Sequence, residues 1–112
     1  MREDYNRSVP SGDNGRFTTH IAAVIRETTR LAGSAADPAA YAQRAVDKLG
    51  VMTLAYQLGT PASFDYAGFN GRGLDDDVMD VVLSLATNSA LGDGVAPDPA
   101  RISAEFPYFR AA

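Results

Sequence analysis

Four aspartates near residue 80 are the side chains whose type and spacing could do chemistry. They are Asp75, Asp76, Asp77 and Asp80, within the stretch NGRGLDDDVMDVVLSLATN. Calcium prefers oxygen ligands, and it needs several that converge at about 2.3 to 2.6 Å. On a helix Asp76 and Asp80 lie on one face, whereas Asp75 and Asp77 point elsewhere. The spacing therefore predicts the capped and solvated start of a helix, with cation binding as the alternative.

A second acidic segment, LGDGVAPDP, contains Asp93 and Asp98. It lacks the alternating oxygen donors and the closing glutamate of an EF-hand loop. The sequence leaves open whether these two carboxylates bind a cation. The glycines of GFNGRG do not form a phosphate loop, because no lysine follows them and the acidic helix start would repel phosphate.

No pairing of a nucleophile with a base is evident along the chain. His20 is the single histidine, and it lies beside Ile21 at the edge of an apolar helical stripe, which is typical of a boundary or surface residue. Ser11, Ser34 and Ser63 lack the G-x-S-x-G context of a hydrolase nucleophile. The sequence thus predicts no catalytic residue, no cofactor-binding residue and no metal ligand.

The composition of the chain excludes several classes of partner. The 112 residues carry a net charge of -4, with a pI near 4.7, and there is no basic stripe that could follow phosphates. We therefore predict no nucleic-acid partner. With no cysteine, disulfides and thiolate chemistry are excluded. No apolar run approaches the roughly 18 residues of a membrane span, and the N-terminus lacks the apolar segment of a secretory signal.

Three helices are predicted, at residues 16–32, 38–49 and 75–87. Apolar side chains recur at helical spacing in each of them. Gly33 is expected to end the first helix, Asp37 and Pro38 to open the second, and Asp75 to cap the third. The predicted core consists of aliphatic residues on these stripes: Ile21, Ile25, Leu49, Val78, Val82 and Leu85.

The remaining segments are predicted to be largely irregular. Residues 1–15 have the charged, Pro- and Gly-containing composition of an irregular arm. The stretch VMTLAYQLG alternates with the two-residue period of a half-buried strand, although a helix that continues past Gly50 is the alternative. The alternating residues are Met52, Leu54, Tyr56 and Leu58.

Three aromatic residues, Phe64, Tyr66 and Phe69, follow within a short loop. We expect them to pack beneath that loop, with a ligand platform as the alternative. The predicted fold class is therefore mainly α, with three helices, long irregular connections and at most a minor strand. An α+β fold is the alternative. The 112 residues form a single domain or the C-terminal part of a longer one.

Three ordered motifs resemble the C-terminal part of a bacterial family known as domain of unknown function 4331. The motifs are NGRGLDDDVMD at residues 70–80, GDGV at 92–95 and FPYF at 106–109, where the family typically closes with FPYL. The earlier segment DYNRSVPSGDNGRF, residues 4–17, is also similar to the family's lead into its helical region.

Members of that family are usually several hundred residues long and open with an exported, β-rich region that has no counterpart here. The resemblance therefore implies a C-terminal fragment or a short relative, and an envelope or extracellular setting. It implies no activity and no catalytic residue.

The sequence as a whole favours a non-catalytic structural or interaction module. Its partner would be the rest of a longer family domain, a second copy of the chain or another protein. The alternative is a cation-binding domain or an enzyme fragment that uses the acidic helix start from Asp75 to Asp80.

Overall fold

A computed structural model describes residues 2–49 and 54–109 of the chain. The fold is mainly α, as the sequence predicts. The four α-helices are α1 (Arg2–Arg7), α2 (Pro10–Ala32), α3 (Pro38–Leu49) and α4 (Val78–Thr87), and a 3-10 turn follows at Pro99–Arg101. The strands β1 (Ser63–Phe64) and β2 (Phe69–Asn70) form a two-stranded antiparallel sheet. The prediction of at most minor strand content is confirmed.

Helices α2 and α3 pack against each other and hold the main core. Gly33 ends α2 in the left-handed conformation, at φ 63°, which a residue without a Cβ adopts at little cost. Asp37 caps α3, because its carboxylate accepts a hydrogen bond from the Ala40 N–H at 3.0 Å. The buried core side chains are Ile25, Ala42, Ala45 and Val46. The predicted helix over residues 38–49 is confirmed, because α3 has these bounds.

Helix α4 is held against this pair at its C-terminal end. The carbonyls of its last turn have no partner within the helix, and side chains donate to two of them. The Tyr41 hydroxyl donates to Leu85 O at 2.6 Å, and the Ser34 hydroxyl donates to Thr87 O at 2.6 Å. The Asn88 amide in turn donates to Ser34 O. Partial burial raises the pKa of Tyr41 above its ordinary value. Side chains from the α2–α3 hairpin thus cap α4.

The start of α4 differs from the prediction. The helix begins at Val78 rather than residue 75, and its cap is Asp77, whose carboxylate accepts from the Asp80 N–H at 3.1 Å. The reason is the neighbouring Asp76, which accepts from the Gly73 N–H at 2.5 Å and so closes a turn before the helix. The prediction of Asp75 as the cap is wrong.

The buried face of α4 also differs from the predicted stripe. Val81 and Ser84 are buried, whereas Val78, Val82 and Leu85 are half-buried. Ser84 can be buried because its hydroxyl accepts from the Tyr66 hydroxyl and donates to Leu91 O. Of the other predicted core residues, Ile25 is buried, and Ile21 and Leu49 are half-buried against the core cluster that contains Ile25.

The N-terminal segment is helical, so the predicted irregular arm is wrong over residues 2–7 and 10–15. Pro10 occupies the first turn of α2, where its missing N–H costs nothing. Helix α1 packs against α2 through an edge-to-face contact between Tyr5 and Phe17, with ring centroids 5.3 Å apart. Asp13 lies inside α2 and is buried, with no hydrogen-bond partner for its Oδ1 among the described residues.

Asn70 organises the loop in which a strand was predicted. Its side-chain amide donates to Thr60 Oγ1 and Pro61 O, and its oxygen accepts from the Gln57 N–H at 2.8 Å. Residues 54–58 consequently form no strand, and that prediction is wrong for them. Met52 and the alternative of a helix continuing past Gly50 lie outside the described residues.

The aromatic loop forms a small hairpin. Phe64 and Phe69 face each other across the two strands and stack, with centroids 4.0 Å apart, and Phe64 is buried. Asp65 closes the turn by accepting from the N–H groups of Ala67 and Gly68. These two rings pack beneath the loop, as expected, while Tyr66 is more than half exposed.

Candidate functional site

Three of the four aspartates at the start of α4 each accept a backbone hydrogen bond. Asp76 binds the Gly73 N–H, Asp77 binds the Asp80 N–H, and Asp80 binds the Asp93 N–H at 2.8 Å. A carboxylate that accepts from N–H groups satisfies donors that would otherwise lack a partner next to a helix end. Asp75 is exposed and has no such bond. The cluster therefore shapes the backbone on both sides of α4.

The contact between Asp80 and Gly92 brings the two acidic segments together. A Cβ on Gly92 would lie 2.5 Å from Asp80 Oδ2, so any side chain there would displace the carboxylate. With glycine at this position, Asp80 reaches the Asp93 N–H. The GDG segment thus requires Gly92 for close approach to α4.

Asp93 and Asp98 each close a turn of their own. Asp93 accepts from the Val95 N–H at 2.8 Å, and Asp98 accepts from the Ala100 N–H at 3.2 Å. Residues 2–49 and 54–109 contain no group of three or more His, Asp or Glu side chains placed to share a metal ion. The structure joins Asp80 to the backbone of Asp93, but it does not assemble these carboxylates into a cation cage.

An open groove lies between residues 72–79, at the start of α4, and residues 95–109, and we call it the C-terminal groove. Its volume is about 310 Å³. Its apolar lining comes from Leu74, Val78, Met79, Val95, Ala96, Pro97, Ile102 and Phe109. Its charged lining residues are Arg72, Asp75, Asp76, Asp77, Asp98 and Arg101. The groove is therefore lined by apolar side chains together with charges of both signs.

One wall of this groove is formed by residues 102–109, which we call the aromatic hairpin. Ile102 pairs with Phe109 in an antiparallel bridge, and the Ser103 N–H donates to Tyr108 O at 2.8 Å. Phe106 and Tyr108 lie edge to face, with centroids 5.9 Å apart. Phe106 is 84% exposed, and Phe109 is 61% exposed. The hairpin therefore presents aromatic rings to solvent beside the groove.

A second cavity, of about 410 Å³, opens beside the C-terminal half of α4. Tyr41, Tyr66 and Ser84 line it. Their hydroxyls are already engaged, since Tyr41 donates to Leu85 O and Tyr66 donates to Ser84. The hydroxyl protons of these three residues are therefore already donated within the chain.

The three serines and the histidine that were candidates for catalysis have separate locations and contacts in the fold. His20 is exposed on α2, and Ser11 is exposed in the first turn of that helix. The Ser34 hydroxyl is used to cap α4, and Ser63 lies in β1. The described residues thus hold no arrangement of these side chains that resembles a nucleophile and its base.

Several features of the groove were not found from the sequence. Arg72, Met79 and Arg101 line it, although Arg101 belongs to a different stretch of chain from the other two. The alternation of Phe106 and Tyr108 around Pro107 was a usable signal for the aromatic hairpin. No local sequence pattern indicates that Ile102 pairs with Phe109, because this pairing is set by the fold.

Comparison with known proteins gave no match: the chain matches no family model, no curated protein and no solved structure. The resemblance to the domain of unknown function 4331 family therefore stays a prediction. Among the helices of the described segments, none has both the length and the apolar character to cross a membrane.

Proposed function

We propose that this chain is a non-catalytic interaction module, which functions by packing its exposed apolar surface against another polypeptide. The observation that carries this proposal is the size of its accessible surface. That surface is 7868 Å², whereas a compact monomer of 11.9 kDa exposes about 6000 Å². The surplus of roughly 1900 Å² exceeds the ~800 Å² that one partner contributes to a standard interface.

The shape of the chain supports the same proposal. The Cα radius of gyration is 16.1 Å, and the molecule measures 45 × 32 × 29 Å. A compact domain of this length has a radius of gyration near 13 Å. The helical core is small, and the segments after it extend away with their large side chains uncovered.

The uncovered side chains belong to residue types that normally lie in cores or interfaces. Those more than half exposed include Val24 and Leu31 on α2, Leu58 in the loop, and Val95, Phe106 and Phe109 near the C-terminus. Burying one such side chain stabilises an assembly by about 1.5 to 3 kcal/mol. A partner that covers several of them would therefore be held firmly.

The polar side chains support a non-catalytic role. The carboxylates of Asp76, Asp77 and Asp80 and the hydroxyl of Ser34 hold the backbone, and each has a hydrogen-bond partner within the chain. These bonds give the four side chains a structural role in the fold.

Dye binding together with mass tests the proposal. The chain is titrated with 8-anilinonaphthalene-1-sulfonate, and its mass is measured by sedimentation velocity over the same concentrations. We expect dye fluorescence to rise with the folded chain at low concentration, and dispersed amide resonances to exclude a molten globule as its source. A folded monomer that binds no dye at any concentration would overturn the proposal.

A further inference from the structure

We infer that the C-terminal groove binds a segment of another polypeptide that combines apolar side chains with lysine or arginine. This inference rests on the proposed function and gives the chemistry of its partner. The uncovered apolar side chains of the groove require an apolar occupant, and the excess of aspartates in its lining requires a basic one.

The first reason is that uncovered apolar side chains gather at this groove. Leu74, Met79, Val95 and Phe109 all line it, and each of them is more than half exposed. They come from both stretches of chain that form the groove, residues 72–79 and 95–109. Apolar side chains of an incoming segment would remove these four from water, which is the main driving force of such association.

The second reason is the charge of the lining. Four aspartates and two arginines line the groove, so negative charges are in excess. Arg101 is already paired with Asp98, since its Nε lies 3.5 Å from Asp98 Oδ2. Arg72 is then the one remaining arginine, against three remaining aspartates. Electrostatic complementarity therefore favours an occupant that brings positive charge.

The N-terminus of α4 offsets only part of this negative charge. A helix N-terminus carries about half of one positive charge, which is less than the excess of two aspartates over arginines. Asp75 is also exposed, makes no backbone hydrogen bond, and has no ion-pair partner among the residues that the structure describes. It can accept charge-assisted hydrogen bonds from an incoming ammonium or guanidinium group.

The same charge disfavours a groove-to-groove contact between two copies of this chain. Such a contact would set one excess of aspartates against another, and like charges across an interface are unfavourable. The whole chain carries a net charge of -4, which also repels an acidic segment. A basic segment is attracted both by the whole chain and by the groove.

Three matched synthetic peptides test the chemistry of the occupant. The first alternates leucine with lysine, the second has glutamate in place of each lysine, and the third has serine in place of each leucine. Fluorescence anisotropy of the labelled peptides measures their binding to the full wild-type chain. We expect the first peptide to bind more tightly than either of the others, and its dissociation constant to rise with added salt, because salt screens exposed charge pairs.

A charge-reversed variant tests the acidic part of the groove. Asp75→Lys should raise the dissociation constant of the leucine–lysine peptide by about threefold to tenfold, because an attraction becomes a repulsion. The matched control is Glu3→Lys, which changes the net charge by the same amount. Glu3 is exposed on α1 and does not line the groove, so this variant should bind within about twofold of the wild type.

A second pair of variants tests the apolar part. Val95→Ser should weaken the binding of the same peptide by about fivefold or more, because an apolar contact is lost. Leu58→Ser is the control, since Leu58 is 87% exposed but does not line the groove, and it should leave binding unchanged. Val95 is itself exposed, so its replacement leaves the core intact.

Amide chemical-shift changes on addition of the leucine–lysine peptide locate its binding. We expect them at residues 72–79 and 95–109. Changes confined to other residues, or equal binding of the leucine–glutamate peptide, would overturn the inference.

The outcomes separate this inference from the proposed function. A folded chain that binds the dye but not the leucine–lysine peptide overturns the basic partner and leaves the interaction module intact. Binding that is insensitive to both Asp75→Lys and Val95→Ser also overturns the inference, because another surface then forms the contact. A folded monomer that binds neither the dye nor any of the three peptides overturns both.

Discussion

At the scale of single residues, aspartates shape the backbone of this chain. Asp37, Asp65, Asp77, Asp93 and Asp98 each accept a hydrogen bond from an N–H two or three residues further along. A short carboxylate can close such a turn and compensate the N–H groups of a helix start. Within the acidic cluster at the start of α4, Asp77 has this role, whereas Asp76 accepts from the earlier Gly73 N–H and Asp80 from the Asp93 N–H.

The cap of α4 gives the first prediction. Asp77→Ala should lower the free energy of unfolding by about 1 kcal/mol, because the Asp80 N–H loses its acceptor. Asp75→Ala should change it by less than about 0.5 kcal/mol, since Asp75 is exposed and makes no backbone bond. Urea unfolding of both variants measures the difference. A larger loss for Asp75→Ala would restore the cap predicted from the sequence.

Calcium addition gives the second prediction. A cation that binds the native state at 100 times its dissociation constant stabilises it by about 2.7 kcal/mol, a rise in Tm of about 10 °C for a domain of this size. We expect no measurable rise with millimolar calcium, because Asp76 and Asp80 supply too few oxygens and the described residues place no third His, Asp or Glu with them. A rise that disappears in Asp76→Asn would contradict this and favour the cation-binding alternative.

Tyr41 gives a prediction about pH. Burial raises its pKa in the folded chain above the ordinary value of 10.0. Its contribution to stability is therefore fully present below pH 10 and is lost as the pH rises through the folded-state pKa. Ionisation also removes the hydrogen bond that it donates to Leu85 O. Above pH 10 the Tm of the wild type should fall more steeply than that of Tyr41→Phe. Parallel pH profiles would show that this tyrosine is not desolvated.

At the scale of elements, local signals decided which predictions were confirmed. Helix α3 has the bounds that were predicted, because Asp37 and Pro38 define its start within the sequence itself. The start of α2 was missed, since Gly12 and Gly15 disfavour a helix locally and the contact of Tyr5 with Phe17 compensates only in the folded chain. The start of α4 was misplaced by three residues because several adjacent aspartates could each serve as the cap.

The burial of Ser84 shows a limit of periodicity. The valine pattern of α4 predicted a single apolar stripe, but Tyr66 and Leu91 cover the side that contains Ser84 and Val81. Tyr66 and Leu91 lie outside the helix, 18 and 7 residues from Ser84, so the periodicity of α4 does not indicate these contacts. The groove was missed for the same reason, since its lining is drawn from residues 72–79 and 95–109.

A glycine substitution tests the revised start of α2. Gly15 is exposed within that helix, and a Cβ there would meet nothing within 4 Å. Gly15→Ala should therefore raise the free energy of unfolding by roughly 0.5 to 1 kcal/mol through helix propensity. Gly33→Ala is the control and should lower the free energy of unfolding, because a φ of 63° is unfavourable for alanine. Thermal unfolding measures both. No gain at Gly15 would favour the irregular arm.

At the scale of the whole molecule, the described fold is a small helical core with long extensions. The cluster around Ile25 and Val46 is buried, yet Phe106, Leu31 and Val95 remain largely in water. Of all residues 46% are hydrophobic, but composition counts apolar residues without saying which of them are covered. The uncovered ones are the basis for the proposed interaction.

Small-angle X-ray scattering, together with the mass from the forward intensity, tests most directly whether the chain leaves its apolar surface uncovered. At the lowest concentrations the monomer should have a radius of gyration near the 16.1 Å of the structure. A monomer mass at all concentrations with a radius near 13 Å, the value for a compact domain of this length, would contradict the proposed function, because the chain would then cover its own surface.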